Sequence, residues 1–367
     1  MSLLSVVAAS RNDGHGLHLV PRMQVFIDGL ADQVERFGRE VELILVDWNP
    51  PRDHPPLSEV LAAPAVKGFN VRVITVPAEL HARLSGASKL SFFQMIAKNV
   101  GIRRARGDAV LATNIDILLS DDLFLDSTAE LSDRCLYRAD RFDIAFDPAI
   151  TVDPQALRRS PAIRINQKSG IYYPGVGYAH RHVRGGSSLV QVALKDPADF
   201  LRRLVRWDEG GGQATLAKYR RAYIEIVALP QLHLNACGDF TLMTRASWEA
   251  LRGYPEWEMF SWQLDGVLLY QAAAAGFAFK ELAGHPAFHL EHSSGWSIES
   301  QTALFERLER DGIPVLTEAG GLEVAYAMWK TRKKHQWLMN LQRWGMLEDD
   351  LPESGIETLG RAAFPVS

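Results

Sequence analysis

The chain has 367 residues, 47% hydrophobic and 23% charged, with a formal net charge of −4 at pH 7. That apolar content is too high for a disordered chain, and the charge is unlike the strongly basic balance of a dedicated nucleic-acid binder. The two cysteines, Cys135 and Cys237, lie far apart in apolar surroundings, which argues against a disulfide framework or a zinc knuckle and makes them buried fillers.

No apolar run reaches the length of a transmembrane helix. Met1 to Ala9 is apolar but short, lacks a basic leader and runs into Ser10-Arg11-Asn12-Asp13. It reads as a first strand rather than a signal peptide, and a cytoplasmic enzyme is expected. Leu4 to Ala9 has the valine content of a buried parallel strand. A helix follows, opened by Pro21, carried by Phe26, Leu30, Val34 and Phe37 at helical spacing, and ended near Gly38. Val41 to Val46 is a second strand, stopped by Asp47-Trp48-Asn49-Pro50-Pro51, and Val71 to Val76 is a third, stopped by Pro77. A helix from about Leu90 to Arg104 buries Phe93, Ile96, Ala97 and Val100, and Gly107-Asp108 turns into a fourth strand, Ala109 to Thr113. This order predicts a parallel sheet covered on both faces, with ligands beyond the carboxyl ends of its strands. The polar residues at those ends are Ser10 to Asp13, Asp47 to Asn49 and Asn114 to Asp116.

From about Pro148 to Leu232 the pattern weakens, with a glycine- and aromatic-rich run at 170–186 and a triple glycine at 210–212. It reads as a long irregular insertion, either a functional loop or a poorly ordered one. Regular signals return with a strand at Cys237 to Thr244, helices around Ser247 to Leu251 and Asp265 to Ala275, and short strands at Phe277 to Leu282 and Ala287 to Leu290. Beyond Ile298 the chain reads as helical, including Ala325 to Leu341, with Lys330 to Lys334 as a solvated basic face.

Several standard chemistries are missing: there is no G-x-G-x-x-G after a strand, no G-x-x-x-x-G-K-[ST], no H-E-x-x-H and no G-x-S-x-G. His285, His289 and His292 around Glu291 approach a zinc spacing, but on a strand and loop rather than a helix. Asn114 and Asp116, two apart, project to one side of an extended segment, where a carboxylate and an amide oxygen suit a hard divalent cation. Equally, Asp116 can simply end its strand by bonding to backbone.

The runs Ala97-Lys98-Asn99-Val100-Gly101, Ala105-Arg106-Gly107-Asp108 and Asn114-Ile115-Asp116 resemble a stretch of the GT-A glycosyltransferases, family 2-like, where such a helix and turn lead into a D-x-D metal motif. Gly238-Asp239-Phe240, Arg245, Gly253-Tyr254-Pro255-Glu256 and Leu264-Asp265 resemble that family's acceptor half. The similarity spans about residues 3–120 and 235–295. It implies an α/β fold of GT-A (Rossmann-like) type: a mixed, mostly parallel sheet flanked by helices. The glycosyltransferase-like domain would be 1–298, with a central insertion at 149–232 that shapes the acceptor side, and a helical C-terminal extension at 299–367.

The resemblance also implies an activity, the transfer of a sugar from a nucleoside diphosphate sugar (a UDP-sugar by default) to a hydroxyl acceptor, helped by Mn2+ or Mg2+. Asp265 would be the base of an inverting reaction and Glu256 would lie near acceptor hydroxyls. Ser10, Arg11, Asn12, Asp47, Lys98, Asn99 and Asn114 would hold the donor, and Asp116 with His289 or His292 the metal. Trp257, Trp262 and Trp296 lie near these residues, as sugar-stacking faces or as walls. The sequence departs from the family at Asn114, where the first aspartate of D-x-D is usual, and at Leu264, where a glutamate is. Those departures also fit a catalytically silent nucleotide-sugar or carbohydrate-binding protein. A sugar-phosphate nucleotidyltransferase is disfavoured because Gly14-His15-Gly16 is short and has no nearby lysine.

Overall fold

Alternation of side chains along the first strands decides the layering. In the computed structural model, which describes residues 3–181, 232–292, 298–334 and 337–359, the first elements are β1 (Leu4–Ser10), α1 (Leu19–Phe37), β2 (Val41–Trp48), α2 (Leu57–Val60), β3 (Ala62–Pro64) and β4 (Phe69–Val76). Then come α3 (Ala78–His81), α4 (Gln94–Arg103), β5 (Ala109–Thr113), β6 (Ile117–Leu119), α5 (Asp121–Ser127), β7 (Cys135–Arg138) and β8 (Arg141–Ala145). Strands β1, β2, β4 and β5 pair in parallel and form the centre of an eight-stranded sheet. Leu4, Val6, Ala8, Leu43 and Leu45 point to the face covered by α1 and α5, whereas Val7, Ala9, Ile44, Val46 and Trp48 point to the face covered by α4. Both faces are buried, so these strands read as continuous apolar runs.

Helix α1 begins at Leu19, two residues before Pro21, whose missing N–H falls harmlessly in the first turn. It ends on Gly38 in the left-handed region at φ 60°. Helix α4 starts at Gln94, later than its apolar pattern suggests, because the Ser91 carbonyl is taken by Arg11 and Asn49 instead of by a helix. Gly101 lets α4 lie close on the sheet: a Cβ there would meet Val7 Cγ1 at 2.5 Å and Val46 Cγ2 at 3.2 Å.

The segment read as irregular after Pro148 is ordered in its first part. It holds α6 (Pro154–Arg158), β9 (Ala162–Gln167), β10 (Gly170–Tyr173) and β11 (Gly177–Arg181), and the three strands join a second, six-stranded sheet in the order β11-β10-β9-β8-β14-β6. Short alternating strands on a polar surface left little periodicity to read. The triple glycine and most of the remaining insertion lie outside the described residues.

After it come β12 (Phe240–Thr244), α7 (Arg245–Leu251), α8 (Leu264–Ala274), β13 (Ala278–Glu281) and β14 (Ala287–Glu291). Strand β12 runs antiparallel to β5, making the large sheet mixed at that side. Then come α9 (Ile298–Arg310), α10 (Glu318–Thr331), β15 (Glu353–Ser354) and β16 (Glu357–Leu359). The C-terminal part is therefore not helical throughout. Among the described residues past Thr331 only one 3₁₀ turn follows, and β15 and β16 pair with β4 and β3. Strand β15 covers an edge of the large sheet that would otherwise present unpaired backbone groups. Arg72 clamps it, bridging Glu42 and Glu353. Cys135 and Cys237 are free and buried. No described helix is long and apolar enough to cross a membrane.

Candidate active site

Register in the second sheet brings the site together. His289 on β14 is opposite Ile117 on β6, next to Asp116, and opposite Asp143 on β8; Asp143 is in turn opposite Arg164 on β9. Three neighbouring strands thus set His289, Asp143 and Arg164 in a row, and Asp116, just before β6, meets that row beside the carboxyl end of β5. Directly opposed residues on neighbouring strands share a face, so the row is a consequence of pairing rather than of loop folding.

Asp116 is buried, and its Oδ2 faces three cationic or basic groups: Arg22 Nη1 at 2.6 Å, His292 Nε2 at 3.3 Å and His289 Nε2 at 3.6 Å. Burial opposes its ionisation, but the His289 and His292 rings and Arg22 outweigh that and hold the carboxyl well below the usual carboxylate range. His289 shows the reciprocal effect: burial works against a charged ring, yet Asp116 and Asp143 lift it to about 9. Asp143 Oδ1 lies 3.0 Å from His289 Nδ1, which directs Nε2 toward Asp116. Asp143 also receives Arg141, Arg164 and Asn166, which keeps this fully buried carboxylate ionised.

Ligand atoms of Asp116, His289 and His292 all lie within 4.8 Å of one another. One carboxylate oxygen and two imidazole nitrogens, one of them braced from behind by a carboxylate, form a donor set that fits a divalent transition ion. Asp143, His289 and Glu291 also lie within that span, but Asp143 and Glu291 are already paired with arginines.

Asn114 faces away from this set. Its Oδ1 accepts from Gln94 at 3.0 Å and its Nδ2 donates to Asp239, whose other oxygen takes Arg141. Both ends of the amide are spent on the scaffold, so Asn114 positions the Asp239 loop. Lys98, expected to hold the donor, is fully buried beneath that loop and donates to the Gly238 carbonyl at 2.7 Å. Burial pushes its pKa down to about 8, against the charges of Asp239 and Asp265. Asp265, in the first turn of α8, is half-buried beside Cys237 and Gly238 and receives the Gly266 N–H at 2.9 Å. A Cβ at Gly238 would lie 3.0 Å from Asp265 Oδ2, so glycine there leaves the carboxylate room.

At the ends of β1 and β2, Arg11 donates to Ser91, Asn12 donates to Pro55, and Ser10 Oγ is buried without a hydrogen-bond partner. Asp47 belongs to β2 rather than stopping it. One of its oxygens accepts from Leu57 N at 2.9 Å, the other is buried and unpartnered, and burial pushes its carboxyl up to about 6.

Asn99 and Glu256 are both tied into the scaffold. Asn99 brackets the Tyr254 backbone, accepting at 2.8 Å from its N–H and donating at 2.8 Å to its carbonyl, and also donates to Glu256. Glu256 accepts from Gly345 N at 2.7 Å, tying the 253–256 turn to the C-terminal segment. Trp262 stacks edge-on with Phe305, Trp257 packs against the core, and Trp296 lies outside the described residues.

Arg22, Asp143, Arg141 and Arg164 were not anticipated from the sequence. A signal for Arg22 was there: it falls four residues before Phe26 on the apolar stripe of α1, where a charge needs a buried counter-ion. Arg141 with Asp143, and Arg164 with Asn166, likewise alternate with apolar residues in two short strands.

No protein-family model matches the chain, and no curated relative matches it in sequence. It is similar to the solved structure of GalNAc-T7 with UDP, GalNAc and Mn2+ at 10% identity and a TM-score of 0.39, covering 91% of this chain and 55% of that one. It therefore spans about half the length of that protein. This structure and the two that follow are of GT-A glycosyltransferases. Galactosyltransferase LgtC with donor and acceptor sugar analogs is similar at 12% identity and a TM-score of 0.35, over 86% of this chain and 98% of that one. M. tuberculosis glucosyl-3-phosphoglycerate synthase is similar at 14% identity and a TM-score of 0.30, over 86% and 82%. These are likenesses of distant architecture, and what the chain does is read from its own side chains.

Proposed function

We propose that the chain is a GT-A-type glycosyltransferase that moves a sugar from a nucleoside diphosphate sugar, with a UDP-sugar favoured, to a hydroxyl acceptor. The observation that carries this reading is the Asp116, His289 and His292 cluster at the carboxyl edge of the parallel strands, braced by Asp143, which Arg141 joins to the Asp239 loop beside Lys98 and Asp265. Asp116, His289 and His292 would hold a divalent ion, and two imidazoles favour Mn2+ over Mg2+, which prefers oxygen ligands. When bound, the ion supplies positive charge against the departing diphosphate.

Asp265 takes the proton of the acceptor hydroxyl as that oxygen bonds to the anomeric carbon. The anomeric C–O bond to the diphosphate breaks, its electron pair leaves with the phosphate oxygen, and single displacement inverts the centre. The unpartnered oxygens of Ser10 and Asp47 suit the base and ribose hydroxyls of the donor. Arg11 and Asn12 shape that pocket by pinning its loops at Ser91 and Pro55.

The test is release of nucleoside diphosphate from a panel of nucleotide sugars, with and without Mn2+. Metal-dependent release is expected with one donor, cut about 10²–10⁴-fold in Asp265→Asn with donor affinity preserved. Turnover near normal in that variant removes Asp265 as the base. No release from any donor leaves the silent nucleotide-sugar binder, the reading favoured by Asn114 and Leu264 in place of acids.

A further inference from the structure

Arg22 has no part in the function proposed above, although it is 1% exposed and stands at the centre of the site. Its Nη1 donates to Asp116 and its Nε donates to the Leu17 carbonyl at 2.9 Å, but Nη2 is buried with no hydrogen-bond partner. His292 Nδ1 is buried and unpartnered in the same way. The two nitrogens converge: a Cβ at Gly16 would lie 2.8 Å from His292 Nδ1 and 2.9 Å from Arg22 Nη2.

A buried donor left unmade is costly, and here two of them meet over a glycine. Guanidinium Nη2 can only donate, and a neutral His292 ring whose Nε2 serves as a metal ligand carries its proton on Nδ1 and donates from there. Two donors aimed at one point, beside a cation-binding carboxylate, suit an oxyanion. The roof is the loop 13–17, in which Gly14 and Gly16 adopt φ +71° and +68° and Leu17 N donates to the His292 carbonyl at 3.2 Å. Glu291, whose charge also faces Arg22, is itself paired with Arg164 and so does not close the anchor to anions.

We propose that Arg22 Nη2 and His292 Nδ1 form a two-point anchor for an oxygen of the terminal phosphate of a metal-bound diphosphate, under the 13–17 loop; that this diphosphate belongs to a nucleotide rests on the function proposed above. Arg22 Nη1 already pairs with Asp116 Oδ2, so a divalent ion held by Asp116 would share that carboxylate with Arg22, which couples the anchor to the metal. Loss of Arg22 takes away a cation that competes for Asp116 while removing a phosphate donor.

Calorimetric titrations of the full chain test this with four probes: Mn2+ alone, then inorganic pyrophosphate, UDP and UMP, each in saturating Mn2+. Wild type is expected to bind pyrophosphate and UDP. Arg22→Gln should weaken both at least tenfold, leave UMP within twofold, and bind Mn2+ alone at least as tightly. Gly16→Ala keeps the Arg22 charge but fills the gap with a methyl group; it should reproduce the pyrophosphate loss even if Arg22→Gln fails to fold by circular dichroism. Pyrophosphate bound as by wild type in the folded variants, or UMP lost in equal measure, overturns the anchor. Wild-type binding of pyrophosphate but of no nucleotide supports the anchor and removes the nucleotide donor instead. Wild-type binding of neither overturns both.

Discussion

Replacing Asp143 with asparagine tests how the site is held. Asp143 is fully buried and carries the negative charge that Arg141, Arg164 and the His289 ring share. Asparagine keeps one oxygen but turns two amide hydrogens toward groups that are themselves donors. Breaking a buried ion pair from one side costs about 3–5 kcal/mol, because the partner charges stay buried without compensation. His289 also loses the carboxylate that directs its Nε2 toward Asp116, and such support is worth about 10–100-fold in metal affinity. Urea unfolding should show Asp143→Asn destabilised by about 3–5 kcal/mol, and Mn2+ titration of the folded variant should show the affinity loss. Unchanged Mn2+ affinity in the folded variant would falsify the orienting role, and unchanged stability would refute the charge balance.

Other substitutions separate scaffold from chemistry. Glu256→Gln still offers an oxygen to Gly345 and Asn99, so it should cost about 1 kcal/mol of stability and leave donor turnover nearly intact; a drop of about 10²-fold or more would put Glu256 back at the acceptor. Gly101→Ala places a methyl against Val7, and overpacking of about 1–3 kcal/mol should exceed the helix-propensity gain of about 1 kcal/mol; a more stable variant in urea would contradict the close approach. His233, bonded to Glu281, is pushed down to about 4 by burial. Its folded value lies below its unfolded one, so its contribution is complete above pH ~6.5 and lost as pH falls toward the folded value. Between pH 7.5 and 5 wild type should lose about 2 kcal/mol more than His233→Gln; parallel pH profiles in urea would contradict this.

The central strands were legible because burial on both faces makes β1, β2, β4 and β5 continuous apolar runs, and α1 carries its stripe openly. The order of these elements located the site at their carboxyl ends. Asp116, His289 and His292 were legible as candidates through resemblance, and the structure brings them within ligand distance of one another. What stayed hidden depends on pairing between distant strands. Asp143 and Arg164 become neighbours of His289 only through the register of β14, β8 and β9. Asn99 and Glu256 were singled out through resemblance, and their partners in the fold, Tyr254 and Gly345, are ones that no local pattern announces. The C-terminal strands escaped notice because each has only two or three residues and is held by an edge far away in sequence.

Thermal unfolding of the wild-type chain with a panel of nucleoside diphosphates and nucleotide sugars, each with and without Mn2+, tests the central claim most directly. A ligand of the folded state stabilises by mass action, about 2.7 kcal/mol at one hundred times its Kd. The account predicts a rise in Tm that needs both Mn2+ and one nucleotide, with a uridine nucleotide favoured. A Tm that no nucleotide raises in the presence of metal would contradict it.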